Sequence, residues 1–116
     1  MDWKYLFTSF DGRINRAKFW AAIGVLIALG IVATLIDVLL GSDIGQGMGI
    51  FSLIASLASI YFALAVYAKR WHDRDKSGWW TLIGLVPFIG AVWIVVELGI
   101  LEGARGPNRF GPDPLA

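Results

Sequence analysis

A chain of 116 residues is long enough for one compact domain, and 57% of its residues are apolar, with a mean hydropathy of +0.66. A water-soluble domain of this size has too little interior to bury so much apolar surface, so the composition excludes an ordinary soluble fold and favours a membrane protein. The net charge is only +1, and the absence of cysteine excludes disulfides, thiol catalysis and cysteine metal sites.

Residues 2–10 predict a short amphipathic helix. Their large apolar side chains recur on one helical face, at Trp3, Leu6, Phe7 and Phe10. Asp2 is suited to cap the first turn. We expect this helix to lie in the plane of the membrane interface. The alternative is a terminus that becomes ordered only by packing on the rest of the protein.

Three longer apolar runs predict transmembrane helices, at about residues 19–40, 48–68 and 79–101. At about 1.5 Å per residue, each is long enough to cross a hydrocarbon core of about 30 Å. Asn15 is suited to cap the first run. Pro87 and Gly90 predict a kink in the third.

The predicted fold class is therefore an all-α membrane protein with three transmembrane helices, a short N-terminal interfacial helix and a Pro/Gly-rich C-terminal tail. Residues 1–116 form a single membrane domain, of which residues 102–116 are the tail. We interpret residues 69–78 as a dense polar loop between the second and third helices.

The basic residues predict the orientation. Three spans place eight of them on one side: Lys4, Arg13, Arg16, Lys18, Lys69, Arg70, Arg74 and Lys76. Only Arg105 and Arg109 fall on the other side. The positive-inside rule then puts the N-terminus in the cytoplasm and the C-terminus in the periplasm or outside the cell. The alternative is a chain that turns back at Pro87–Gly90, which would make the third segment a re-entrant hairpin and the C-terminus cytoplasmic.

Small residues on the second apolar run predict a helix contact. They lie four apart at Ala55, Ser59 and Ala63, with a neighbouring pair at Ser52 and Ser56. Small side chains let two helices approach closely in lipid. We expect the stripe to face another helix, within one chain or between chains.

Four motifs, in order, carry a family resemblance: FDGR at 10–13 with Arg16 and FW at 19–20, KRWHD at 69–73 with SGWW at 77–80, PFIG at 87–90, and GPNRFGPDP at 106–114. This pattern resembles the domain of unknown function 805 family, the YhaH-like proteins, from about residue 7 to residue 114. The resemblance implies a small, multi-span protein of the bacterial inner membrane. No activity comes with it.

The basic segments form the candidate site, for which we expect binding of anionic lipid or another anion. Its residues are Arg13, Arg16, Lys69, Arg70, His72 and Asp73. Arginine forks and lysines at headgroup depth suit phosphate. The alternative is that these residues only set the topology and extend to the interface. A general base at His72 is a weaker hypothesis, because only Asp73 could orient it.

Two acids and the tail complete the candidate residues. Asp37 and Glu97 are intramembrane acids expected at similar depth near the outer surface, where they either share a proton or simply reach outer water. The tail motif contains Asn108, Arg109 and Asp113. We expect it to fold back on the helices, with Arg109 pairing with an acid, although a flexible tail is the alternative.

The preferred function is a non-enzymatic membrane module that binds anionic phospholipid or a partner membrane protein through its basic cytoplasmic face. The alternatives are a subunit of a small oligomeric transporter or channel and a lipid-modifying enzyme. The expected partners are the lipid bilayer and either further copies of the chain or a partner membrane protein. We predict no catalytic residue, cofactor, metal or nucleic-acid partner.

Overall fold

A computed structural model of the protein describes residues 2–42, 45 and 49–115. Within these residues the regular structure is helical and contains no strand. The elements are α1 (Trp3–Thr8), α2 (Arg16–Leu40), α3 (Ile50–Asp73), a 3₁₀ helix (Gly78–Leu85) and α4 (Ile89–Ile94), which continues as a π-helical turn (Val95–Ile100). The N-terminal helix, the all-helical class and the order of the apolar segments agree with the predictions.

The short helix α1 is built as its sequence predicts. The Asp2 side chain accepts a hydrogen bond from the backbone N–H of Tyr5 at 3.0 Å, which caps the first turn. Leu6 is fully buried, and Phe7 packs against Phe62 of α3 with ring centroids 5.6 Å apart. The apolar face of α1 therefore lies against α3.

Helices α2 and α3 form the frame of the molecule. Each is long and apolar enough to cross a membrane. Asn15 caps α2 by accepting from the N–H of Lys18 at 2.9 Å, and Gly41 ends it in the left-handed conformation. The predicted start of the second span at Met48 lies outside the described residues.

Small residues line the contact between these two helices. Ala33 of α2 and Ala55 of α3 are buried, and the hydroxyls of Thr34 and Ser52 lie 3.3 Å apart. Within the predicted stripe, Ala55 is thus buried, as expected of a residue at a helix contact. Within the stripe, Ser59 and Ala63 are half-buried, whereas the neighbouring Ser56 is exposed.

The C-terminal end of α3 corrects the predicted polar loop. The helix continues through Asp73, so residues 69–73 form its last turn and do not belong to a loop. Lys69, Arg70 and Asp73 are buried there. Helix can extend through these charged residues because each side chain finds a polar partner in the fold.

Asp37 closes the opposite end of the frame. Gly49, at the N-cap of α3, has no side chain to cap that helix. The Asp37 carboxylate of α2 takes the role, accepting from the N–H groups of Phe51 at 2.9 Å and Ser52 at 2.8 Å and from the Ser42 hydroxyl at 2.6 Å. A helix N-terminus with unpaired N–H groups favours a negative charge. Asp37 thus joins α2 to α3.

The third apolar segment differs from the preferred prediction of a kinked span over 79–101, and its break lies at the predicted position, Pro87 to Gly90. The 3₁₀ helix ends at Leu85, Phe88 adopts φ +61°, and the chain resumes helical structure at Ile89. Gly90 lies so close to the Ile83 carbonyl that a Cβ there would clash with it. Pro87 cannot donate the hydrogen bond that a continuous helix needs at its position. The segment therefore folds into two short arms, and we call residues 78–100 the hairpin.

Both ends of the hairpin lie at the same end of α3. Gly78 packs against Ala68, and the Leu98 carbonyl accepts from Arg70 at 2.7 Å. Glu97 consequently lies beside the basic residues, whereas Asp37 lies at the other end of α2, about 30 Å along the helix axis from Arg16. The expectation that the two acids share one depth is wrong.

The tail also lies at this basic end. Ala104 donates its N–H to the Asp73 carbonyl at 2.6 Å, and Arg13 donates to the Gly106 carbonyl at 2.7 Å. The tail therefore folds back on the helices, as predicted. It contacts the N-terminal segment and does not lie at the opposite end of the molecule, where the three-span prediction placed it.

The capping role of Asp37 predicts a loss of stability in Asp37→Ala. Removing the carboxylate leaves the N–H groups of Phe51 and Ser52 without their acceptor, and loss of a cap costs about 1–2 kcal/mol. Thermal unfolding in detergent should show a lower midpoint. The matched control is Asp11→Ala, which removes an exposed carboxylate at the other end of the frame. Equal midpoints for the two variants would contradict the capping role.

Candidate functional site: a buried ionic network

Asp73, in the last turn of α3, is the centre of a buried ionic network. Its Oδ1 accepts from Arg13 Nε at 3.0 Å, and its Oδ2 accepts from Arg70 Nη1. Arg13 is 5% exposed, Arg70 0% and Asp73 3%. Two guanidinium groups thus share one carboxylate away from solvent, which leaves a net positive charge that neutral acceptors must stabilise.

Backbone carbonyls of the tail complete the surroundings of Arg13. Its Nη2 donates to Ala104 at 2.6 Å, and its Nη1 donates to Gly106 at 2.7 Å and Gly111 at 3.2 Å. Gly111 sits in a tight turn in which its backbone pairs with that of Asn108. The glycines and prolines of the tail therefore serve to aim carbonyl oxygens at one guanidinium group.

Arg70 is held by the end of the hairpin. Its Nε donates to the Leu98 carbonyl and its Nη2 to the Leu101 carbonyl, both at 2.7 Å. The last carbonyls of a helix have no partners within that helix and carry partial negative charge. Arg70 satisfies them and so fixes the returning arm of the hairpin against α3.

Lys69 and His72 tie the N-terminal loop to the same end. The Lys69 ammonium donates to the Ser9 carbonyl and lies 5.2 Å from the centre of the Tyr5 ring. His72 Nδ1 lies 2.9 Å from the Gly12 carbonyl oxygen, and the imidazole stacks on Phe110 of the tail at 4.0 Å. Both side chains thus make structural contacts within the protein.

A second ionic cluster surrounds Glu97. Its Oε2 accepts from Arg74 Nε at 3.0 Å and its Oε1 accepts from Lys76 Nζ at 2.6 Å. Sequence reasoning missed this contact, because nothing local in the sequence pairs a residue of an apolar run with the loop before it. The only signal was the turn-forming pair Pro87 and Gly90.

The predicted tail residues Asn108, Arg109 and Asp113 each form a polar contact. Arg109 pairs with the exposed Asp75 at 3.4 Å, which confirms the prediction that this arginine pairs with an acid. Asp113 accepts from the N–H groups of Leu115 and Gly106, both at 2.9 Å, and these bonds lower the pKa of its carboxyl group. The amide of Asn108 donates to the His72 carbonyl at 2.9 Å.

The structure brings together five of the six predicted anion-binding residues, namely Arg13, Lys69, Arg70, His72 and Asp73. In this arrangement the guanidinium groups of Arg13 and Arg70 donate inward, to one carboxylate and to backbone carbonyls. Arg16 does not bind Asp73: it is exposed, and within the described residues its side chain donates to the Ile100 carbonyl at 2.8 Å. Chemically, the network is suited to hold the loop, hairpin and tail on α3.

The buried charges predict a large effect of Asp73→Asn. Loss of this carboxylate leaves two buried guanidinium groups without a counter-ion, which costs about 3–5 kcal/mol. Asp75→Asn is the matched control, because Asp75 forms an exposed pair with Arg109 that contributes less than about 1 kcal/mol. Chemical unfolding in mixed micelles should separate the two variants clearly. Similar losses in both would show that the network does not stabilise the fold.

The sequence of this chain matches a known protein family. Residues 7–112 match the model of a protein family of unknown function, DUF805. The chain is 40% identical to the inner membrane protein YhaH of Escherichia coli K12, over 98% of this chain and 97% of the relative. It is 34% identical to the inner membrane protein YhaI of the same strain, over 93% and 87%. No solved structure gives a significant match. Two helices of the chain are able to cross a membrane, and both of these relatives are inner membrane proteins. Because the family model matches residues 7–112, the chain belongs to the DUF805 family.

Proposed function

We propose that this protein is a non-enzymatic module of the inner membrane that binds anionic phospholipid headgroups through an N-terminal basic surface. This surface consists of Lys4, Arg16 and Lys18, and in the proposal it faces the cytoplasm. The observation that carries the proposal is that, within the described residues, no carboxylate pairs with any of these three cations. No ion pair therefore neutralises their charge, although Arg16 lies near enough to Glu102 to help lower the pKa of that carboxyl group.

Their position supports a role outside the protein. Arg16 and Lys18 lie in the first turn of α2, where the partial positive charge of the helix makes a cation unfavourable. Helix stability therefore does not explain them. Lys4 lies on α1, whose neighbouring Trp3 is half exposed, as expected for a side chain at the depth of the headgroups.

Arg16 is the best placed of the three for phosphate. Its Nη1 donates to the Ile100 carbonyl, which orients the side chain, while Nε and Nη2 make no hydrogen bond within the described residues. A planar guanidinium group with two free donors is suited to grip two oxygens of one phosphate.

The polar side chains of His72 and Asp73 already have partners within the protein, which supports a binding role over a catalytic one. The imidazole of His72 is stacked on Phe110, with Nδ1 at the Gly12 carbonyl, and the Asp73 carboxylate is shared by two arginines. Both Asp73 oxygens therefore have partners, and one nitrogen and one face of the His72 ring are already engaged. The basic surface, in contrast, is open.

The proposal predicts a loss of anionic lipid in the triple variant Lys4→Gln, Arg16→Gln and Lys18→Gln. An uncompensated basic group near an anionic leaflet contributes about 1 kcal/mol, so three contribute about 3 kcal/mol, or about a hundredfold in affinity at low salt. Native mass spectrometry after extraction from phosphatidylglycerol–phosphatidylethanolamine membranes should show less retained phosphatidylglycerol. Added salt should weaken retention by the parent protein, because the surface is exposed.

The control is Arg105→Gln with Arg109→Gln, which removes two exposed cations that already pair with Glu102 and Asp75. This variant should retain anionic lipid as the parent does. Unchanged retention in the triple variant would overturn the proposal, and an equal loss in the control would reduce it to a non-specific charge effect.

A second prediction separates the surface from the buried network. Arg13→Lys with Arg70→Lys keeps both charges but removes the forks that hold the tail and hairpin carbonyls. We expect a lower unfolding midpoint with no change in retained phosphatidylglycerol per folded molecule. Loss of lipid at an unchanged midpoint would place the lipid site at the network and not at the N-terminal surface.

A further inference from the structure

We propose that the hairpin, residues 78–100, inserts into the cytoplasmic leaflet alone, so that the chain crosses the membrane twice and both termini face the cytoplasm. The partner of the hairpin surface is thus the acyl chains of one leaflet. This inference concerns residues outside the proposed lipid-headgroup surface and stands independently of it.

Both ends of the hairpin are anchored at the C-terminal end of α3. The hairpin begins where Gly78 packs on Ala68 of α3. It ends where the Leu98 and Leu101 carbonyls bind Arg70. A segment that crossed the bilayer would have its two ends at opposite ends of α3, about 30 Å apart.

The length of each arm matches one leaflet. The outgoing 3₁₀ helix has eight residues, which rise about 16 Å at about 2.0 Å per residue. The returning arm, Ile89–Ile100, rises about 18 Å at about 1.5 Å per residue. Half of a hydrocarbon core is about 15 Å. The tip at Phe88 therefore reaches the middle of the bilayer when the ends are at the interface.

Most of the backbone N–H groups at the tip have acceptors, as chain reversal within a membrane requires. Val86 donates to Ile83 at 3.0 Å, Ile89 to Pro87 at 2.6 Å and Gly90 to Val86 at 2.9 Å, while Pro87 has no N–H to satisfy. Among these tip residues the Phe88 N–H alone has no acceptor within the described part of the chain. The close approach of Gly90 to Ile83 lets the two arms pack directly on each other.

The side chains of the hairpin present an apolar surface of matching depth. Phe88 at the tip is 87% exposed and Leu85 is 80% exposed. A shallow cavity of about 490 Å³ runs along the returning arm from Phe88 to Leu101. Its polar end lies at Glu97, with Arg74 and Lys76 beside it. Apolar walls about one leaflet deep, with the paired charges confined to one end, suit the acyl chains of one leaflet.

Charge distribution gives independent support. With two crossings, every one of the ten lysine and arginine residues lies on the side of the N-terminus, because Arg105 and Arg109 join the other eight. The connection between α2 and α3, residues 41–49, contains neither lysine nor arginine. This arrangement satisfies the positive-inside rule more completely than three crossings do.

The natural absence of cysteine allows a direct test with single-cysteine variants of the full chain in cells and in inverted membrane vesicles. Asp11→Cys and Leu115→Cys should react with a membrane-impermeant maleimide only from the cytoplasmic side. Ser42→Cys, which replaces one small side chain by another in the connection between α2 and α3, should react only from outside. Labelling of Leu115→Cys from outside would overturn the proposal in favour of three crossings.

Phe88→Cys tests insertion and the nature of the partner. It should resist the impermeant reagent from both sides and react with a membrane-soluble maleimide. Impermeant labelling from the cytoplasm would show that the hairpin lies on the surface, outside the leaflet. Efficient oxidative cross-linking through this cysteine would show that a second copy, and not lipid, covers the tip. A fusion at the C-terminus of the unsubstituted chain, to a reporter that is active only outside the cytoplasm, should be inactive.

Discussion

The buried carboxylate of Asp73 is the group on which the arrangement of the polar end depends. Without it, two guanidinium groups would be buried with like charges close together, which costs about 3–5 kcal/mol. With it, the guanidinium groups of Arg13 and Arg70 are held in place, and each keeps N–H donors that do not bind Asp73. Arg13 directs these donors at the tail and Arg70 directs them at the hairpin. One acid thus organises three segments that are distant in sequence.

The two ends of the helical frame use the same chemistry in different ways. At one end Asp73 neutralises cations, and at the other Asp37 accepts from the N–H groups that begin α3. Between them the contact relies on small residues, such as Ala33 and Ala55, and on packing. The polar contacts at the ends therefore determine how the two helices are aligned, while the small residues between them permit close approach.

Local signals in the sequence predicted what local interactions determine. Asp2 and Asn15 cap the helices that follow them, since a cap needs only its own first turn. The third apolar run could not be assigned from local signals, because a segment that crosses the membrane once and a segment that forms two half-depth arms have the same hydropathy. Pro87 and Gly90 marked the break, but the pairing of Glu97 with Arg74 depends on the three-dimensional return of the chain. The role of Arg13 was likewise hidden, because its partners are backbone carbonyls of the tail, and a carbonyl has no sequence signature.

The same tail has a consequence for biosynthesis. A chain emerges from the ribosome N-terminus first, at about 5–20 residues per second, so Arg13 is exposed while the carbonyls of Ala104, Gly106 and Gly111 do not yet exist. Until these tail residues have been synthesised, the Arg13 guanidinium group must remain hydrated or interact with headgroups at the membrane surface. The bonds between Arg13 and the tail can therefore form only after α2 and α3 have been synthesised, so the polar end is completed later than the two helices that it joins.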